Sequence, residues 1–212
     1  TLISTYNDLE SVKKHFEDHD DIAGVIIEPI CGNMGVVIPQ NNFLVALKEF
    51  LQTKGALLIA DEVMTGFRSK FGGAQELLGV EADITCLGKV IGGGFPVGAY
   101  GARNEIMQEV APLGGMYQAG TLSGNPIAMA GGISTLTELK RQNPYHQFNK
   151  TAAFLEVILL ETAKKYDVDL VVNRFGSMMN PFFTKGVVTN FEEAQTSDTK
   201  KFAVFFWEMI KN

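Results

Sequence analysis

Three short apolar runs, each leading into a polar residue, constrain the fold of this chain more than any other feature of its sequence. They are residues 23–27 before Glu28, residues 56–60 before Asp61, and residues 83–87 before Gly88 and Lys89. Apolar runs of this length between turn signals are typical of strands that are buried on both faces. Helical patterns separate the runs, so the sequence predicts an α/β fold with a mostly parallel sheet and flanking helices.

Caps, apolar spacing and helix breakers predict the other elements. Asn7 is predicted to cap the first helix, with Glu10 placed as in a capping box. Asn41 and Asn42 are predicted to cap a second helix that stops at Gly55, and Pro126 suits the first position of a long helix. That helix continues to about residue 140. The remaining predicted elements are a helix at about 149–165, strands at 97–102, 168–173 and 177–183, and a last helix with one aromatic face around Phe202–Ile210.

The most linker-like stretch of the chain is residues 141–144, Arg-Gln-Asn-Pro. We therefore expect residues 1–143 to form part of one large domain. Residues 144–212 are expected to begin a smaller α+β domain at the C-terminal side.

Charge and composition argue against several classes of function. The 18 basic and 24 acidic residues give a formal net charge of −6, which disfavours a nucleic-acid partner or an anionic membrane surface. No stretch approaches the ~20 apolar residues of a membrane span. The two cysteines have neither disulfide nor zinc spacing, so we expect no metal site and a cytoplasmic location.

A lysine and a carboxylate are expected at one rim of the predicted sheet. Ligands bind at the carboxyl ends of parallel strands, and Glu28, Asp61 and Lys89 all follow such ends. Lys89 precedes three glycines and a proline, and a desolvated lysine has a lowered pKa and can form a Schiff base. The alternative is an ordinary surface lysine, because lysines are mostly exposed.

Asp61 has two interpretations. It can cap a helix that follows the strand. It can also pair with the pyridinium nitrogen of pyridoxal 5′-phosphate (PLP), which keeps the ring an electron sink. Val63, two residues later, would then pack against the ring or simply belong to the core.

Two further segments carry candidate cofactor contacts. The side chains of Asn33 and Tyr117 can approach the phenolic oxygen of PLP, while Gly120 and Thr121 offer a backbone N–H and a hydroxyl to a phosphate. The alternatives are plain turns or packing. The glycines after Lys89 match neither the phosphate-loop nor the dinucleotide-binding spacing, which makes a nucleotide-binding domain a poor interpretation.

Together these segments resemble the class III aminotransferases of the PLP-dependent transferase fold type I. The resemblance covers nearly the whole chain. Asp-Glu-Val at 61–63 and Gly-Lys at 88–89 are shared by much of that family. Gly-Asn-Met-Gly at 32–35 and Tyr-Gln-Ala-Gly-Thr-Leu-Ser-Gly-Asn-Pro at 117–126 favour its aminomutase branch, whose members convert glutamate-1-semialdehyde to 5-aminolevulinate for tetrapyrrole (porphyrin) synthesis.

The resemblance implies a role for each candidate residue. Lys89 would be the Schiff-base lysine and acid–base group, and Asp61 would pair with the ring nitrogen beside Val63. Gly120 and Thr121 would reach the phosphate of the neighbouring subunit's cofactor, which implies a homodimer with shared active sites. The cofactor would pass through its pyridoxamine phosphate form, with a small molecule as substrate.

The chain is about half as long as members of this family usually are. We expect the 212-residue chain alone to be inactive and the missing parts to be supplied by a longer protein. Two other interpretations stay open: an ω-aminotransferase with separate amino donor and acceptor, and an inactive fragment or non-catalytic remnant that serves as a binding module.

Overall fold

The computed structural model describes all residues from 1 to 212 and has the predicted α/β organisation. The helices are α1 Leu9–Asp18, α2 Phe43–Lys54, α3 Gly73–Leu78, α4 Asn104–Met107, α5 Pro126–Gln142, α6 Tyr145–Lys165, α7 Phe191–Ala194 and α8 Thr199–Lys211. The strands are β1 Gly24–Ile27, β2 Leu57–Asp61, β3 Ile84–Leu87, β4 Ala99–Ala102, β5 Val171–Phe175 and β6 Met178–Phe182. A short 3₁₀ helix covers Lys89–Gly92.

Four strands form one sheet in the order β1-β2-β3-β4. The first three are parallel, and β4 pairs with β3 in the antiparallel direction at the edge. The prediction of a mostly parallel sheet is therefore confirmed. Strands β5 and β6 form a separate antiparallel hairpin.

The chain divides into two compact units. The sheet unit comprises Asp21–Pro29 and Leu44–Tyr145, and it contains the four-stranded sheet. The hairpin unit comprises Thr1–Asp20, Ile30–Phe43 and His146–Asn212. The assignment of residues 1–143 to a large domain and 144–212 to a small one stays a prediction.

The core of the sheet unit follows from the apolar pattern. Leu47 and Leu51 of α2 and Leu58 of β2 are completely or almost completely buried. Gly55, which the sequence predicts as the stop of α2, has a φ of 66°. Glycine adopts this left-handed conformation without steric cost, so the chain can turn directly into β2.

The predicted cap of α1 is wrong by one residue. Asp8 is the N-cap, and its carboxylate accepts hydrogen bonds from the N–H groups of Glu10 and Ser11. Asn7 instead joins distant parts of the hairpin unit. Its amide donates to the carbonyl oxygens of Ile38 (3.0 Å) and Thr189 (2.7 Å). These long-range contacts outweigh the local capping preference that the sequence shows.

The boundaries near the predicted linker also shift. Helix α5 runs to Gln142, and Asn143 adopts a left-handed φ of 45°, which asparagine tolerates better than most residues. Helix α6 then starts at Tyr145, four residues earlier than predicted. The following strand starts at Val171 rather than at 168, because Val168 N–H closes the end of α6 on Ala163 O.

No helix of the structure combines the length and the apolar character that crossing a bilayer requires.

Candidate active site

The structure places the predicted lysine and carboxylate at the same edge of the sheet. Asp61 is the last residue of β2, and Lys89 comes two residues after the end of β3. Strands β2 and β3 are parallel neighbours, so their carboxyl ends meet at one edge. Glu28, which directly follows β1, lies at this edge as well. We call this edge the carboxyl edge.

Asp61 is half-buried, and a local turn orients it. Its Oδ1 accepts a hydrogen bond from Val63 N–H at 3.0 Å. Cys86 is its register partner on β3. Burial raises the pKa of the Cys86 thiol, and the negative charge of Asp61 raises that pKa further. The charge of Asp61 therefore affects a titratable group, the Cys86 thiol, on the neighbouring strand.

Lys89 has an unusual backbone conformation. It follows an extended, buried Gly88 and begins the 3₁₀ helix with a φ of 46°. A non-glycine residue in this region costs about 1–3 kcal/mol, and such residues cluster at functional sites. The side chain itself is exposed in this chain, so the desolvation that we expected for it is not seen.

Val63 lies directly beside the backbone that precedes Lys89. A Cβ atom on Gly88 would be only 3.1 Å from Val63 Cγ1, closer than most such contacts. Glycine at position 88 therefore allows the two strand ends to approach each other. The structure thus brings together Asp61, Val63 and Lys89, as the sequence predicts.

The glycine run after Lys89 packs against a helix. A Cβ on Gly93 would lie 2.5 Å from the carbonyl oxygen of Gly131 on α5, and a Cβ on Gly132 would overlap Ile91 O. Glycines on both sides let the 3₁₀ helix and α5 come into backbone contact. This contact fixes the 3₁₀ helix that begins at Lys89.

Sequence reasoning missed Glu62, which is 1% exposed and fully hydrogen-bonded. Its carboxylate accepts hydrogen bonds from Thr65 Oγ1 and from the N–H groups of Ala74 and Gln75 at the start of α3. The available signal was the pair Gly72-Gly73 at that helix start, which offers no side chain for capping. Only the fold shows that a residue ten positions earlier does the capping.

Tyr117, Gly120 and Thr121 lie in an exposed segment before α5. Tyr117 is 84% exposed. Gly120 O accepts from Ser123 N–H at 2.9 Å, so the predicted turn is present here. Gly120 also lines an apolar groove of about 730 Å³ that extends to Leu87, the last residue of β3. The contacts of these three residues with a cofactor stay predictions.

Asn33 belongs to the hairpin unit. It lies at the tip of a tight loop that is closed by two backbone hydrogen bonds between Cys31 and Val37. Val36, within the same loop, is buried and has a φ of 59°, a genuine strain for a β-branched residue. The loop is therefore held firmly, and the role of Asn33 stays a prediction.

The family model for "Aminotransferase class-III" matches residues 3–202. The chain belongs to the class III aminotransferases. The resemblance that the four sequence segments indicate is thereby confirmed.

Individual relatives agree with this assignment. The glutamate-1-semialdehyde 2,1-aminomutase of a Sulfurihydrogenibium species is 55% identical over all 212 residues, which make up 50% of that protein. Among solved structures, a β-phenylalanine aminotransferase from Variovorax paradoxus superposes with a TM-score of 0.85 at 34% identity, over 93% of this chain and 46% of that one. A glutamate-1-semialdehyde aminomutase from Pseudomonas aeruginosa, in complex with PMP, gives 0.83 at 28% identity, over 93% and 46%.

These likenesses confirm the predicted fold, that of the fold type I transferases. The chain spans about half the length of the curated relatives that it matches.

Proposed function

We propose that this chain is part of a PLP-dependent glutamate-1-semialdehyde 2,1-aminomutase, which makes 5-aminolevulinate for tetrapyrrole synthesis. The observation that carries the proposal is the placement of Asp61 and a strained Lys89 at the carboxyl edge of one parallel sheet. The 55% identity to an aminomutase over the full chain supports the choice of reaction.

The groups at the carboxyl edge fit PLP. The amine of Lys89 would hold the cofactor's carbonyl carbon, and the carboxylate of Asp61 would pair with the ring nitrogen. Val63 would pack against the face of the ring between these two residues. Gly88 lets the backbone before Lys89 lie close to Val63, because a Cβ there would be only 3.1 Å from Val63 Cγ1. When bound, PLP supplies an electron sink for charge that develops on a substrate carbon.

Lys89 and Asp61 would then have separate tasks. Lys89 moves a proton at a substrate carbon, on the ring face that its amine reaches. Asp61 keeps the proton on the ring nitrogen through its negative charge, since an opposite charge nearby favours the protonated form. An intramolecular amino transfer needs both tasks twice, once at each of two neighbouring carbons.

We further propose that the protein works as a homodimer. Large apolar side chains are exposed on the segment before α5 and on α5 itself: Leu113, Tyr117, Leu122, Ile127 and Ile133. Contiguous exposed apolar surface marks protein–protein contacts. In a dimer, Gly120 and Thr121 would bind the phosphate of the partner's cofactor. Asn33 and Tyr117 would contact the phenolic oxygen of PLP.

A cytoplasmic location is part of the same proposal. Both cysteines are free, and Cys31 is buried, as is common in a reducing compartment.

The test is turnover of glutamate-1-semialdehyde by the protein expressed from its complete gene, beside the 212-residue chain. We expect 5-aminolevulinate to form with no added amino donor or keto acid. We expect no turnover by the 212-residue chain alone. Absence of product from the complete protein with PLP bound would overturn the proposed reaction.

A class III ω-aminotransferase is the second candidate. The observation on its side is that the β-phenylalanine aminotransferase structure is 34% identical to this chain and the aminomutase structure 28%. The 55% identity to an aminomutase over the full chain outweighs this difference. Such an enzyme would need a separate donor and acceptor. Turnover that depends on both an added amine and an added keto acid would establish it.

A further inference from the structure

Glu62, the residue after Asp61, has a buried carboxylate whose hydrogen-bond partners lie on the opposite face of the strand from Asp61. Neighbouring residues at a strand end point to opposite faces, so Asp61 and Glu62 diverge. Glu62 is 1% exposed, and burying a carboxylate is costly unless hydrogen bonds compensate it. Its Oε2 accepts from Thr65 Oγ1 at 2.5 Å and from Ala74 N–H at 2.9 Å, and its Oε1 accepts from Gln75 N–H at 2.9 Å.

The backbone of Glu62 is fixed as well. Its N–H donates to Cys86 O at 2.9 Å, and its carbonyl oxygen accepts from Gly66 N–H at 2.8 Å. The first bond extends the pairing of β2 with β3, and the second closes the turn after Val63. Every polar group of Glu62 is therefore engaged.

The helix that Glu62 caps is built around it. Gly72 at the N-cap of α3 supplies no side-chain hydrogen bond. Gly73 has a φ of 76°, and a Cβ there would lie 2.6 Å from Glu62 Oε2. The carboxylate thus takes the place that a local cap and a side chain would otherwise occupy.

We propose that Glu62 is a positioning residue for Asp61. By anchoring the turn at residues 61–66 to α3, it sets the direction in which the Asp61 carboxylate leaves the end of β2. The link is short, because Asp61 is bonded covalently to Glu62 and accepts a hydrogen bond from Val63 within the same turn. The part of this inference that concerns the cofactor rests on the proposed function.

The decisive variant is Glu62→Gln, which keeps the shape but replaces one acceptor oxygen by an NH₂ group. All three partners of the carboxylate are donors, so the NH₂ group faces a donor and the turn must shift. The matched control is Asp83→Asn at the opposite end of the strands. The Asp83 carboxylate also accepts three hydrogen bonds, from Lys48, Leu58 N–H and Arg103.

Two readouts are measured on the protein from the complete gene, after its free energy of unfolding has been determined. The first is the dissociation constant for PLP, from an absorbance titration. We expect Glu62→Gln to weaken binding by about tenfold, the lower end of the loss expected when the ring nitrogen loses its charged partner. We expect Asp83→Asn to stay within about twofold of the wild type, even where both variants lose similar stability.

The second readout needs no cofactor and so separates this inference from the proposed function. The alkylation rate of Cys86 is measured against pH in PLP-free protein, because the charge of Asp61 acts on that thiol. We expect a shifted profile in Glu62→Gln and an unchanged one in Asp83→Asn. If Glu62→Gln does not fold, Thr65→Val removes one of the three donors and is measured instead.

Unchanged Cys86 alkylation in a folded Glu62 or Thr65 variant would overturn the positioning role, whatever the protein's reaction. Equal losses of PLP affinity in Glu62→Gln and Asp83→Asn would also overturn it, because the effect would then follow stability alone. A wild-type protein that binds PLP but makes no 5-aminolevulinate would contradict only the proposed reaction and not the positioning role of Glu62.

Discussion

The two ends of the same parallel strands carry the same residue types in opposite arrangements. At the end where β3 begins, the amino edge, the carboxylate of Asp83 is 12% exposed and binds Lys48 Nζ at 2.7 Å and Arg103 Nη1 at 2.8 Å. At the carboxyl edge, the side chain of Asp61 accepts a hydrogen bond only from its own turn, and Lys89 is exposed with a left-handed backbone. A carboxylate and a lysine are thus paired at one edge and held apart at the other.

This difference separates stability from function. The charged groups of the amino edge pair with one another, so they contribute to folding. At the carboxyl edge, the left-handed backbone of Lys89 costs stability, and the 3₁₀ helix that begins there packs against α5. Groups arranged at such a cost are those expected to bind a ligand.

The largest effect is expected from exchanging the two lysines for alanine. Lys89→Ala should abolish covalent retention of PLP, because no other amine follows a strand end at this edge, and should leave stability unchanged or slightly higher. Lys48→Ala should keep the cofactor and lower the free energy of unfolding by about 1–2 kcal/mol. Absorbance after gel filtration and urea unfolding measure both. Retained chromophore in Lys89→Ala would remove the basis of the comparison.

The next effect concerns the two aspartates. Asp61→Asn should weaken PLP binding by roughly 10- to 100-fold, since the ring nitrogen loses its charged partner. Asp83→Asn should leave PLP binding nearly unchanged but lower the free energy of unfolding by about 2 kcal/mol. The dissociation constants for PLP, measured by titration of both variants, test this expectation. The comparison fails if the Asp83 variant binds PLP as poorly as the Asp61 variant.

The pH dependence of stability should belong to the amino edge. Burial opposes ionisation of Asp83, but hydrogen bonds from Lys48 and Leu58 N–H outweigh it and hold the pKa of Asp83 below its usual value. Its folded-state pKa is depressed, so its contribution is complete above the unfolded pKa and is lost as pH falls through the folded one. Unfolding free energies measured from about pH 5 downward should therefore fall more steeply for the wild type than for Asp83→Asn. If the free energy of unfolding fell equally with pH in the wild type and in Asp83→Asn, Asp83 would not contribute to the pH dependence of stability.

The smallest effect is a change in thiol reactivity at the carboxyl edge. The charge of Asp61 adds to burial in raising the pKa of Cys86. Asp61→Asn should lower that pKa and speed alkylation of Cys86 by a few-fold at about pH 8, where more thiolate then forms. Mass spectrometry of the Cys86 peptide follows the rate, and buried Cys31 serves as the internal control. An unchanged rate would contradict the effect of Asp61 on the Cys86 thiol.

The sequence predicts the carboxyl edge well because its signal is local. Apolar runs that end in Glu28, Asp61 and Gly88-Lys89 are read directly from the chain, and the parallel sheet follows from their alternation with helices. Lys89 is predictable as a residue in a special position. Its left-handed φ is not, because lysine shows no local preference for it.

The features that sequence reasoning missed depend on contacts between distant residues. Glu62 caps helix α3, which starts eleven residues later. Gly131 and Gly132 of α5 pack against the 3₁₀ helix, which ends nearly forty residues earlier. The same holds at the start of α1. Asn7 and Asp8 are both favourable N-cap residues, and only the long-range contact of Asn7 with Thr189 decides that Asp8 caps the helix.

We propose that Lys89, and no other lysine, holds the cofactor at the carboxyl edge. The most direct measurement is borohydride reduction of the PLP-loaded protein from the complete gene, followed by peptide mass mapping. We expect that the peptide containing Lys89 carries the reduced cofactor and that the peptide containing Lys48 does not. Label on Lys48 or spread over several lysines, with Lys89 unmodified, would contradict it.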